Sequence, residues 1–206
     1  MKKRSKLIAV LAALFLSTGS VSAIADVKPG QSMTHMKTAP GLASALEAAG
    51  VVLYVQGGAT AGVIGDSISA ANSQVVFHVP ITGTKDGVQH VGSNIVFFNT
   101  ANNAQVQLRN PVIDLAKGVV TATISQASNQ SITVLTITNG ADLKPKRSTN
   151  NATKIRATAY TGAALSLAPG VAATLASLLG LPANALADGV VFGSADVTLN
   201  KALKRR

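Results

Sequence analysis

Apolar positions change period several times along the chain, and the changes predict its elements. An unbroken apolar run over 7–16 follows the basic stretch Met1-Lys2-Lys3-Arg4-Ser5-Lys6. Ala23-Ile24-Ala25 then supplies small residues ahead of Asp26, so a signal peptide is expected over 1–25. A helix of that run rises only about 15 Å, half of a bilayer core, which argues against a lasting anchor. Residues 26–39 are polar without a period and read as a linker. Leu42, Ala45, Leu46 and Ala49 next fall on one face of a short helix stopped by Gly50.

Beyond Gly50 the period becomes two. Strands are expected at 51–55, 74–81, 94–98, 105–109, 112–115, 119–124 and 131–138, separated by turn residues such as Asp86-Gly87 and Lys117-Gly118. Gly57-Gly58-Ala59-Thr60-Ala61-Gly62 reads as a loop, and so does the basic, Asn-rich stretch 144–154. Further strands are expected at 155–160, 164–167, 190–192 and 195–199, with a second short helix from Pro169 to Gly180 between them. Ala39-Pro40-Gly41-Leu42 and Ala168-Pro169-Gly170-Val171 open the two helices with nearly the same words. Short strands at this spacing, without helices between them, predict a mainly β fold: an antiparallel β-sandwich or barrel-like domain over 40–200 with two short helices. A basic tail over 201–206 ends the chain.

Composition narrows the chemistry. The chain has no Cys, which excludes disulfides, thiolate-held zinc or iron–sulfur clusters and a thiol nucleophile. Loss of Lys2, Lys3, Arg4 and Lys6 with the signal would lower the formal charge from +10 to +6. The remaining basic clusters, Lys144-Pro145-Lys146-Arg147 and the tail, contain no aromatic residue, so nucleic acid is not the expected partner. On an exported protein the basic tail suits either a solvated, frayed end, the favoured reading, or contact with anionic lipid or an anionic cell-envelope polymer. No later apolar stretch reaches 18 residues, so no transmembrane span is expected in the mature chain.

Catalytic constellations are not evident. His35, His78 and His90 lack metal-ligand spacing, and His78 reads as an ordinary sheet histidine. The eight carboxylates sit mostly at turns and helix ends, and no nucleophile elbow, phosphate loop or dinucleotide fingerprint occurs. A non-enzymatic protein is the expectation. Tyr54 and Tyr160 remain as polar aromatic groups on strands: tyrosine is able to ligate haem iron, but a ring packed in the sheet with its hydroxyl at the rim is the favoured reading.

The order of several motifs resembles HtaA-type domains, an exported bacterial family associated with haem transport. The resemblance rests on the first helix with Gly50-Val51-Val52, on Phe77-His78-Val79-Pro80-Ile81-Thr82-Gly83, and on Val88-Gln89-His90-Val91-Gly92-Ser93-Asn94-Ile95-Val96-Phe97. Val106 to Asp114, Leu178-Leu179-Gly180-Leu181-Pro182 and Val191-Phe192-Gly193-Ser194-Ala195 continue it, so that it covers nearly all of 40–200. It implies a β-rich domain and haem capture through a tyrosine and a histidine. The chain is a divergent member by this reading: the region before Leu42 lacks Trp and Tyr, and the loop Asn99-Thr100-Ala101-Asn102-Asn103 lacks His. Tyr54, His90 and Tyr160 are therefore the candidate ligand-binding residues. No cofactor is assigned outright, haem being the one the resemblance admits. The expected function is an exported, non-catalytic binding module for haem or another apolar ligand at the cell envelope. The alternative is a structural or adhesive envelope protein with no small-molecule ligand.

Overall fold

A computed structural model describes residues 31–203 apart from 66, 125, 128 and 129; the expected signal peptide and residues 204–206 lie outside the described residues. The elements run β1 (Met33–Thr38), α1 (Leu42–Ala48), β2 (Val51–Gly57), β3 (Thr60–Ile64), β4 (Gln74–Pro80), β5 (Val88–Gln89), β6 (Ser93–Asn99) and β7 (Gln105–Asp114). They continue as β8 (Val119–Ile124), β9 (Ser131–Ile137), a 3-10 turn (Gly140–Asp142), β10 (Lys146–Asn150), β11 (Ile155–Leu167), α2 (Val171–Leu179) and β12 (Val191–Ala202). Ten strands form one antiparallel, nearly closed, barrel-like sheet in the order β2-β6-β7-β8-β9-β11-β12-β1-β4-β3. The two ends of that path, β2 and β3, follow each other in the chain across Gly58-Ala59, and this short link draws the sheet toward closure.

Alternation sorts the side chains. On β4, Val75, Phe77 and Val79 point inward and are buried, while Gln74, Val76 and His78 face out. Phe77, Val106, Leu165, Ala195 and Val197 belong to one continuous core inside the barrel. Asn110-Pro111 breaks the β7 ladder between Arg109 and Val112, because proline brings no N–H; the two strands expected at 105–109 and 112–115 are therefore one bulged strand. A similar irregularity between Tyr160 and Ala163 joins 155–160 and 164–167 into β11, so Tyr160 lies within a strand rather than ending one.

Both helices close the same end. β1 and β11 each run antiparallel to β12, so they point the same way and deliver the chain to the same rim. The two Ala-Pro-Gly sequences turn there with the same backbone: Gly41 has φ 78° and Gly170 φ 79°, a left-handed conformation that only glycine adopts freely. The following helix N–H of each donates to the alanine carbonyl, Leu42 to Ala39 and Val171 to Ala168, both at 3.1 Å. Leu46 of α1 and Leu175 and Leu179 of α2 are buried against the core. Asp188 accepts from the N–H groups of Gly170 (2.7 Å) and Ala172 (3.2 Å), filling orphan donors at the α2 N-terminus.

Four expectations need correction. Residues 33–38, read within a linker over 26–39, are β1, a strand paired on both sides. Its inward positions are Thr34, Met36 and Thr38, too polar to signal a strand, and Thr38 is held by accepting from the Val75 N–H at 2.9 Å. The glycine-rich stretch contributes β3, paired to β4. The loop over 144–154 holds β10, whose five side chains are all exposed; its pairing to β11 is made by backbone alone. The first residues of the basic tail, Lys201 and Ala202, finish β12, while Val190 lies just before it.

Candidate ligand-binding site

The end of the barrel opposite the helices is built differently. His90 sits between β5 and β6 and is 1% exposed. Its Nδ1 lies 2.9 Å from the Pro111 carbonyl, which only accepts, so Nδ1 carries the proton. Nε2, 2.7 Å from Thr34 Oγ1, then accepts from that hydroxyl. The β7 bulge presents the Pro111 carbonyl, and Asn110 on the same bulge accepts from the Gly92 N–H at 2.8 Å. Burial lowers the pKa of His90, against a smaller opposing pull from the Pro111 carbonyl, so the imidazole is a neutral plug with both nitrogens engaged.

Behind it the barrel holds an apolar cavity of about 30 Å³, bordered by Thr34, Met36, His90, Ile113 and Leu165. Sites for drug-sized ligands take about 300–1,000 Å³, so a haem does not fit inside this packed barrel.

Tyr160 reaches the same interior side. It pairs with Val197 on β12, which pairs with Thr34 on β1, and side chains directly opposite share a face. Tyr160 packs half-buried against the core. Tyr54 does not join them. It pairs with Val96 on the outer face of the barrel, and its hydroxyl donates to Gln105 Oε1 at 3.1 Å. The inward neighbours of Tyr54 are Leu53 and Phe97, which fill the core. Of the three candidates the structure thus brings His90 and Tyr160 to one end and one face, and leaves Tyr54 on the opposite face of the sheet.

Sequence reading missed what surrounds them. β9 pairs with β11 only at Leu165–Leu167; residues 155–160 instead pair with β10 on one side and β12 on the other. The three strands form an extension beyond the barrel. Register places Thr149, Arg156 and Lys201 in one row, and Arg147, Thr158 and Leu199 in the next. Both rows share the face of Tyr160 and Val197, two and four residues along β11 and β12. Arg147, Arg156 and Lys201 therefore lie on the side that continues the barrel interior. No acidic residue occurs over 143–160 or 197–203, and the one Lys or Arg ion pair among the described residues is elsewhere, Lys117 with Asp114 at 3.0 Å. Arg156, Lys201, Ala202 and Leu203 border a shallow depression of about 240 Å³. The basic clusters were visible in the sequence, but only the register aligns Arg147, Arg156 and Lys201.

The loop lacking the expected histidine has a structural task. Asn99 and Asn102 both donate side-chain N–H groups to the Leu179 carbonyl, at 2.8 and 2.9 Å, and so satisfy the C-terminus of α2. No helix among the described residues is long and apolar enough to cross a membrane. No protein-family model, curated protein or solved structure matches the chain.

Proposed function

We propose that this chain is an exported, non-catalytic binding module of the cell envelope, built on a scaffold of the HtaA type. Its ligand is an anionic molecule with an apolar part, docked on the inward side of the three-stranded extension. One observation carries the reading: Arg156 and Lys201 stand directly opposite each other with Arg147 on the same face, and among the described residues no carboxylate pairs with them. Like charges opposed across a ladder are unfavourable, and an anion bound between them removes the cost. Leu199 and Tyr160 continue the same face toward the barrel and offer apolar contact.

Haem has this chemistry, an apolar ring with two carboxylates, and Tyr160 carries a hydroxyl able to ligate its iron. His90 is not assigned as a ligand, because both its nitrogens are engaged, and Tyr54 faces away. An anionic lipid or envelope polymer has the same charge without the iron. Haemin titration of the chain followed by absorbance separates them. A saturable Soret change, lost in Tyr160→Phe and weakened in Arg156→Ala with Lys201→Ala, assigns haem. A silent titration combined with salt-sensitive cosedimentation on phosphatidylglycerol vesicles assigns an anionic surface. Silence in both overturns the reading and leaves the structural envelope protein, which the filled barrel interior favours.

A further inference from the structure

A second group of side chains lies on the outer face of the barrel, away from the extension. His35 on β1 and His78 on β4 are directly opposite in the ladder, and their ring centroids are 4.7 Å apart with planes at 87°. His35 is exposed, and neither ring makes a hydrogen bond among the described residues. His78 Nδ1 is buried without a partner among the described residues, an acceptor left over for water or an ion.

We infer that His35 and His78 form a surface site for a divalent transition-metal ion. Imidazole nitrogens bind such ions at about 2.0–2.1 Å, which places two ring centroids roughly 4.5–5.2 Å apart for ligand angles between a right angle and a tetrahedral one. The observed 4.7 Å falls inside that interval, and rotation of the rings out of their edge-to-face contact would bring a nitrogen of each toward a common ion. Asp196 on β12 is the next residue in the same row, opposite His35. Its Oδ1 accepts from the Gly162 N–H of β11 at 2.7 Å, which turns the carboxylate toward the side of β12 away from His35. The same face carries Lys37, two residues along β1, and Thr60, opposite His78 on β3. No group of three His, Asp or Glu side chains surrounds a common point among the described residues. The site is therefore two imidazoles with water completing the sphere. Such a set selects imidazole-preferring ions in the order Cu²⁺ above Ni²⁺ and Zn²⁺.

The test uses the untagged chain and Cu²⁺ alone, read by calorimetry and electron paramagnetic resonance. One ion per chain with superhyperfine splitting from two nitrogens is expected. Loss of an outer-shell partner alone costs about 10–100-fold in affinity. Removing a ligand in His35→Ala or in His78→Ala should cost at least that, and Ni²⁺ and Zn²⁺ should bind more weakly than Cu²⁺. Thermal melts check that each variant folds; His35 is exposed, so His35→Ala decides the matter even if His78→Ala does not fold. The same affinity and nitrogen splitting in His35→Ala as in the parent chain would overturn the site, and so would the absence of any nitrogen splitting in the parent.

Discussion

The two ends of the barrel are closed by opposite means. At one end, α1 and α2 press Leu46, Leu175 and Leu179 onto the core. At the other a single neutral histidine, held by Thr34 and Pro111, plugs the interior, and a basic extension projects past it. An apolar plug gains from every atom buried and has no preferred direction. The polar plug contributes only while its hydrogen bonds remain paired. Apolar burial therefore closes the helical end, whereas paired polar groups beside exposed charges close the other.

The largest expected effect is at the helical end. Leu175 is fully buried, and Leu175→Ala should cost about 2–5 kcal/mol, read as a lower urea midpoint at unchanged m-value. A cost under about 1 kcal/mol would show that the helix is an ornament on a self-sufficient barrel.

Next comes the polar plug. His90→Ala leaves the Thr34 hydroxyl and the Pro111 carbonyl without their partner, at a cost of about 1–3 kcal/mol. The same residue sets a pH dependence. Its folded pKa is lowered, so below the ordinary imidazole value of about 6.5 the unfolded chain binds the proton first. Stability should be complete above that value and fall as pH falls toward the folded pKa, a slope that shrinks in the variant. His78 acts in the same direction, so some slope remains. Asp114, whose carboxyl is lowered first by the Lys117 backbone N–H and then by its ammonium, loses its contribution only in more acid solution. Urea unfolding at pH 7.5 and 5.5 checks this, and equal slopes with and without His90 would remove it from the account.

Asp188→Ala should cost about 0.5–2 kcal/mol by uncapping α2, measured as a shift in the thermal midpoint. The smallest effect on stability is expected in the extension. Arg156→Ala and Lys201→Ala should each stay within about 0.5 kcal/mol of the parent, with relief of repulsion favouring the stable side. Anion binding should weaken in both. Substantial destabilisation there would make the extension part of the core and dissolve the contrast between the ends.

Much of the helical end is readable from the residues. The repeated Ala-Pro-Gly turn, the spacing of Leu175 and Leu179 and the Gly180 stop give α2 directly, because helix patterns are local. The central strand β1 is not readable, since Thr34 and Thr38 occupy inward positions where an isolated chain would want apolar groups. β10 has no apolar residue at all and becomes a strand only because β11 offers an unpaired edge beyond the end of β9. Tyr54 and Tyr160 both read as strand tyrosines, one inside its strand and one at a strand end, yet one faces out and the other in.

Local pattern, then, specified a β-rich chain with two capped helices, because side-chain period and turn chemistry act over a few residues. Register decided which side chains stand together on each face. A shift of one residue between strands would reverse each face, and nothing local encodes which partner strand lies alongside. Long-range pairing of β10, β11 and β12 aligned Arg147, Arg156 and Lys201, and that of β1 with β4 set His35 against His78. The burial that fixed those registers is spread over the whole barrel, which is why only the folded chain could reveal them.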